Sequence, residues 1–423
     1  MPINRFARRA VALTAGPFAL DRTRRLVVLT VTGALAVAAL LFEGERQVLP
    51  GQVAGAAAAK TVHDGAQLGT PRNARQADSS RGTLIATAAM SLPRMAHTAT
   101  TLADGRVLVA GGFTSREKTV HGAEVYDPST GRFAPLPPMV TLRHSHTATL
   151  LPGGKVLIAG GYAEGKLQVT SAELFDPATN SFTPTGVLLS ARSDHVAVLL
   201  TDGRVLIAGG VAPGWTFLSS AEIYDPPTGQ FSATGDMTVA RESHIAVRLL
   251  NGEVLVVGGH RGRHASLTVY SSAEVYDPAS GTFRHQGDMR VPRHKHDAIL
   301  LRDGRVLITG GSDALDNERL YDSTELFDPA SGSFTMGPAM KLPRYKHQGS
   351  SVLLPNGMVL IAGGAPQAEM YDPISRTFEV VSGDARVAGL FSAVAPLARG
   401  GALITGGYGS ASGPRAEAWL YRP

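Results

Sequence analysis

Residues 94–135 read RMAHTATTLADGRVLVAGGFTSREKTVHGAEVYDPSTGRFAP, and this stretch decides the fold. It opens with Arg94-x-x-His97 and a short Thr/Ala run. Asp104-Gly105 follows, a pair that takes positive φ at low cost and suits a two-residue hairpin. The aliphatic run into Gly111-Gly112 is apolar at successive positions, as in a strand buried on both faces. The glycines themselves point to a close backbone approach that a side chain would block. Ala123-Glu-Val-Tyr-Asp-Pro128 reads as a third strand, ended by a proline that cannot donate to a ladder. The turn Pro128-Ser-Thr-Gly131 then leads into a fourth strand.

The same text recurs along the chain. Aliphatic runs end in Gly-Gly at Gly112, Gly161, Gly210, Gly259, Gly311, Gly364 and Gly407, with first-glycine spacings of 49, 49, 49, 52, 53 and 43. Tyr126, Phe175, Tyr224, Tyr276, Phe327 and Tyr371 each precede Asp-Pro in the same phase, and Tyr421-Arg-Pro423 stands in that place in the seventh unit. Four strands per unit of about 50 residues are the signature of a propeller. The expected fold is all-β: a seven-bladed propeller of four-stranded blades over residues 82–423. The seventh unit stops after its third strand, and Gly82–Met90 aligns with the fourth strands of other units. Residues 82–90 are therefore expected to complete blade seven and remove an open strand edge.

The Arg-x-x-His, Asp-Gly-Arg-Val-Leu-x-x-Gly-Gly and Ala-Glu-x-Tyr-Asp-Pro elements resemble kelch repeats, in the form seen in bacterial kelch proteins and in the propeller domain of galactose oxidase-like enzymes. The resemblance covers about residues 82–423. It implies a kelch β-propeller and leaves function open, because one fold carries many activities. Copper oxidases with this propeller use a tyrosine crosslinked to cysteine together with histidine and tyrosine ligands. This chain has no cysteine, so that chemistry does not carry over, and no cofactor or metal is expected.

Charge is unevenly placed. The chain carries 40 Lys+Arg against 35 Asp+Glu, but residues 1–25 hold six arginines and a single acid. Residues 82–423 hold 29 basic and 30 acidic side chains, so the high pI does not describe a nucleic-acid surface. Residues 1–25 read as a basic cytoplasmic arm. Residues 26–42 (LVVLTVTGALAVAALLF) form an uncharged apolar run that as a helix spans roughly 25 Å, which fits an uncleaved membrane anchor or a long signal-peptide core. Arginine-rich N-terminal flanks stay inside, so the rest of the chain is expected outside the cytoplasm in either case, tethered or released. Residues 43–81, rich in Ala, Gly, Gln and Arg, read as a linker.

Two sets of residues are candidate functional groups. Strand two–three loops differ from unit to unit, and loop variation on a rigid scaffold is where binding usually lives. They carry Trp215, Phe217, His260, Arg261, Arg263, His264, Arg319 and Asp313. The second set is the repeated motif: Arg94/His97, Arg143/His146, Arg192/His195, Arg241/His244, Arg293/His296 and Arg344/His347. Unit seven lacks it, with Leu390 or Ser392 in the histidine place. A single site rarely needs six copies, so these groups read as a structural network with Glu124, Glu173, Glu222, Glu274, Glu325 and Glu369. The sharper reading is a cationic ring at the channel mouth that recruits an acidic ligand such as an anionic sugar. His144-x-His146 and His294-x-His296 would each face one side of an extended strand and could bind metal there, but a shared metal is not expected. No catalytic residue is assigned. The leading reading is an exported recognition module for a protein or a cell-surface glycan, monomeric in its propeller. The alternatives are a carbohydrate-active enzyme of mutarotase or oxidase type working at the channel mouth, and a purely structural envelope protein.

Overall fold

The aliphatic runs form the strands that the rest of the molecule packs on. In the computed structural model, which describes residues 82–114, 118–314, 319–383, 389–409 and 413–423, these runs are Val107–Ala110, Val156–Ala159, Val205–Ala208, Val254–Val257, Val306–Thr309, Val359–Ile361 and Ala402–Thr405, buried at every position. The arm 1–25, the apolar run 26–42 and the linker 43–81 lie outside the described residues. Among the described residues, no helix is long and apolar enough to cross a membrane.

Each run is the second strand of a four-stranded antiparallel blade, and there are seven blades. Blade one is typical: Thr98–Thr101, Val107–Ala110, Ala123–Asp127 and Arg132–Pro135 pair in that order. Alternation along the second strand explains its burial on both faces. Val156 and Ile158 pack against Leu108, Ala110 and Val125 of the preceding blade, while Leu157 and Ala159 pack against Val205 and Ile207 of the next. The core is thus a set of layers between sheets rather than one central cluster, with each fully buried Val or Leu contributing about 1.5–3 kcal/mol.

The expected closure is present. Thr83–Ala86 pairs antiparallel with Ala418–Arg422, with Thr83 opposite Arg422 and Ala86 opposite Trp419. Met90 then packs with Val107, Val109, Ala395 and Leu403 across the seam. A short additional strand, Ser382–Gly383, runs parallel beside Thr83 and Leu84, which the repeat pattern gave no reason to expect.

Gly-Gly has a specific task. Both glycines of the first pair have positive φ (65° and 96°), and a Cβ on Gly111 would lie 2.7 Å from the His146 ring of the next blade. The same relation joins Gly160 to His195, Gly209 to His244, Gly258 to His296, Gly310 to His347 and Gly406 to His97. The second glycine's N–H donates to the next blade's arginine carbonyl, as Gly112 does to Arg143 at 2.9 Å. The glycine pair is therefore where one blade accepts the next.

Candidate functional site

The repeated arginines lie fully inside the blades. All six are 0 % exposed. Arg241 donates to the Gly258 carbonyl at 2.7 Å, the Ser272 carbonyl at 3.0 Å and Glu274 at 2.8 Å, all within its own blade. Arg94–Glu124, Arg143–Glu173, Arg192–Glu222, Arg293–Glu325 and Arg344–Glu369 pair likewise. Each glutamate also accepts a backbone N–H from the link that precedes its arginine, for example Val140 to Glu173 at 2.7 Å. These are closed, paired charges, with no guanidinium presented at the mouth.

The histidines are equally removed from a cationic role. Burial, reinforced by the neighbouring arginine, lowers His97, His195 and His347 to about 3 and His146, His244 and His296 well below their usual value. They are neutral at physiological pH, and His97 bonds Thr405 at 2.8 Å while His195 bonds Thr147 at 3.0 Å. The anticipated cationic ring of Arg and His is thus not formed, because burial removes one charge and glutamate neutralises the other.

The groups that differ between blades are the two variable positions inside Arg-x-x-His, the first largely buried and the second turned toward the channel. The second of them is Ala96, Ser145, Asp194, Ser243, Lys295, Lys346 and, in blade seven, Phe391. All seven have positive φ, between 50° and 55°. Their backbones link blade to blade: Ser145 N–H donates to Ala96 at 3.0 Å, Asp194 to Ser145 at 3.1 Å, Lys295 to Ser243 at 3.1 Å, Lys346 to Lys295 at 2.9 Å, Phe391 to Lys346 at 2.9 Å and Ala96 to Phe391 at 3.3 Å. This left-handed turn aims the side chains at the axis, where Ser145, Asp194, Ser243, Lys346, Gln348 and Phe391 line a cavity of about 190 Å³ together with the neutral rings of four of the histidines. The turn also breaks the alternation assumed for His144-x-His146 and His294-x-His296. His144 stacks on Tyr162, whereas His146 turns inward to Thr98.

The first variable position bridges to the residue after Gly-Gly, pairing Glu242 with His260 and His294 with Ser312. A chain of hydrogen bonds follows. Glu242 Oε1 lies 3.0 Å from His260 Nε2, His260 Nδ1 lies 3.0 Å from His294 Nδ1, and His294 Nε2 lies 3.1 Å from the Asp313 carbonyl. The Ser312 hydroxyl lies 3.0 Å from the same Nε2, so this end is satisfied by either tautomer of His294, donating to the carbonyl or accepting from the hydroxyl. One Nδ1 of the two rings donates and the other accepts, and His260 Nε2 meets Glu242 at the far end, so the three groups share a continuous proton path. Burial pushes Glu242 up. Arg263 reaches the same carboxylate at 3.3 Å while its guanidinium lies 3.2 Å from the centre of the Trp215 ring.

Asp194, held by hydroxyls of Ser145 and Ser193, is raised to about 7 by burial and by the nearby Glu242, against the opposing pull of Arg263. Burial and the same carboxylates also raise Tyr162. An aspartate with a folded-state pKa above its unfolded value binds its proton more tightly when folded. Its contribution to stability is therefore lost as pH rises from about 4 to 7. Asp194→Asn is expected to raise the melting temperature by roughly 2–4 °C at pH 8 and by less than about 1 °C at pH 5. Equal shifts at both values, read by differential scanning calorimetry, would contradict this assignment.

Of the loop candidates, the structure brings Trp215, Phe217, His260 and Arg263 together, with Phe217 edge-on to His260 at 6.0 Å. Arg261 and His264 are exposed in the same hairpin, and Arg319 is an exposed partner of Asp313 at 3.6 Å. Sequence reasoning did not single out Asp194, Glu242, Lys346 or Phe391. The available signal was variation at two positions within an otherwise repeated motif.

Comparison places the chain among known proteins by its fold. The Kelch motif family matches residues 94–140, 192–238 and 243–290. No curated protein matches the chain. A fungal alcohol oxidase of the AA5 family, solved in complex with copper, is similar at 19% identity and a TM-score of 0.53, over 78% of this chain and 62% of that structure. The chain thus spans about three fifths of that protein's length. The donor set here does not fit such a metal. The chain has no cysteine, and among the described residues no group of three or more His, Cys, Asp or Glu could hold an ion. Glu242 and His294 bond opposite edges of the His260 ring, so the three cannot converge on one point.

Proposed function

On the premise that this chain carries kelch motifs in a seven-bladed propeller, we propose that it is a recognition module that binds a glycan at the mouth of its channel. The observation that supports this reading most is the cavity of about 190 Å³, lined by hydroxyls, an acid, an ammonium, an amide and the Phe391 ring, most of them on a hydrogen-bonded turn. Convergent polar groups with one aromatic face suit a polyol. Rigid positioning lowers the ordering cost of binding. We extend the proposal to place: the apolar run 26–42 carries a monomeric propeller outside the cytoplasm, as an anchor or a removed signal.

Saturation-transfer NMR of the full chain with galactose, galactosamine and galacturonate tests the site. Ala96→Trp, which fills the cavity, is expected to abolish the signals, and Arg261→Ala/His264→Ala to preserve them. Signals that survive Ala96→Trp but vanish in the loop variant would move the site to the outer loops. If none of the three sugars binds, the glycan reading gives way to a protein ligand.

The Glu242–His260–His294 chain favours a second reading, an enzyme acting on a sugar by acid–base chemistry. Among the described residues it occurs once, whereas the Arg/His pairs repeat, and a carboxyl raised by burial, as Glu242 is, suits proton transfer. Conversion of a bound sugar that Glu242→Gln abolishes would select this reading.

A further inference from the structure

Two hairpins rise from the rim of the cavity. In blade three Val211–Ala212 pairs with Thr216–Phe217, and in blade four His260–Arg261 pairs with Thr268–Val269. Each is tied at its base beside a residue of the mouth. Val211 exchanges both backbone hydrogen bonds with Ser193 at 3.0 Å, and His260 does the same with Glu242 at 3.0 Å. The next residues along the chain, Asp194 and Ser243, both line the cavity. The hairpins of these adjacent blades thus continue its wall outward on one side. They present an aromatic ring there. The turn Pro213–Trp215 passes through positive φ at Gly214 (71°) and Trp215 (59°). A bulky residue in that region is an outlier that persists only where the surroundings hold it. Arg263 of the other hairpin supplies the hold, with its guanidinium 3.2 Å from the centre of the Trp215 ring and 3.3 Å from Glu242. That guanidinium covers one face of the indole, yet Trp215 is 47% exposed, so the open surface is its other face and its edges. Four residues separate Trp215 from Val211, which keeps their Cα atoms within about 14 Å.

Resting on the reading of the mouth as a glycan site, we infer that the ligand is an oligosaccharide, with one unit in the mouth and a further unit on the open face of Trp215. The chain leaves the mouth across the hairpins of blades three and four. A glycan repeats one chemistry along its length, a CH face flanked by hydroxyls. The same kind of contact therefore serves twice, at Phe391 inside the cavity and at Trp215 outside it. Arg261, exposed in the blade-four hairpin, adds donors for ring hydroxyls. Both rings are fixed before the ligand arrives, Trp215 by Arg263 and Phe391 by its backbone bond to Lys346 at 2.9 Å. Once the first unit is bound, the second contact is intramolecular and multiplies affinity.

The test titrates the full chain with galactose, galactobiose, galactotriose and galactotetraose by calorimetry and follows tryptophan emission in the same samples. Galactotriose is expected to bind about tenfold or more tightly than galactose. Trp215→Ala is expected to bring galactotriose to within about twofold of galactose, and to leave galactose affinity within about twofold of the parent. Emission reports on the same contact, because the chain has two tryptophans and the other, Trp419, is 4% exposed. Galactotriose at saturation should shift the spectrum, and galactose should not. Oligomers no tighter than galactose, a gain that survives Trp215→Ala, or a saturated galactotriose complex with unchanged emission would each overturn the inference and leave the glycan site standing. Absence of binding by all four sugars would remove both. If Trp215→Ala does not fold, the emission of the wild-type chain decides.

Discussion

Replacing Arg241 with alanine is expected to destabilise the propeller by about 3–5 kcal/mol, and so to lower its melting temperature by roughly 4–7 °C. The reason is the ionic partner left behind. Arg241 is fully buried and makes four hydrogen bonds, two to the carbonyls of Gly258 and Ser272, one to the Ser272 hydroxyl and one to Glu274. Alanine leaves Glu274 charged and buried with only the Thr238 N–H at 2.7 Å. It also opens a space beneath the Tyr270 ring, which the guanidinium carbon approaches to 5.4 Å. Arg241→Met together with Glu274→Met should recover most of the loss, since well-packed apolar groups often match a buried ion pair. A denaturant titration that puts Arg241→Ala within about 1 kcal/mol of the parent would show that the pair adds little to stability.

Removing residues 82–90 from the full chain should be more damaging. The strand Thr83–Ala86 covers the edge of Ala418–Arg422, and Leu84 and Met90 are 3% and 4% exposed. Each buried side chain of that size accounts for about 2–5 kcal/mol when lost, and the uncovered strand offers its backbone to other chains. The expected result is a shift from monomer to aggregate in size-exclusion chromatography with loss of a cooperative melt. Restoring residues 82–90 after Pro423, behind a Ser-Thr turn like that of blade one, should rescue both. That order gives blade seven the connectivity of the other six. A monomeric, fully stable deletion would contradict the closure.

These two expectations concern features that repetition made legible. Gly-Gly, Tyr-Asp-Pro and the Arg/Glu pairs recur because every blade must solve the same packing problem, so each copy reinforces the reading of the others. The candidate site is legible for the opposite reason, and less easily. Asp194, Glu242, Lys346 and Phe391 stand at positions that vary between units, and next to a repeated motif such positions read as noise. The aim of Asp194, Lys346 and Phe391 at the axis depends on positive φ at the second variable position, filled by Ala, Ser, Asp, Lys and Phe, residues that do not announce that conformation as glycine does. The expectation of two histidines on one strand face failed for the same reason. The cationic ring failed on desolvation, which depends on burial and not on residue type. Loop variation did locate Trp215, His260 and Arg263, which join Glu242, but it gave equal weight to the exposed Arg261 and His264.

A crystal structure of the full chain grown with galactose tests the central claim most directly. The sugar is expected in the channel mouth, its hydroxyls within about 3 Å of Asp194 and Ser145 and its CH face against Phe391. Density for the sugar on the outer hairpin around Trp215 and His264, with the mouth holding none, would contradict it.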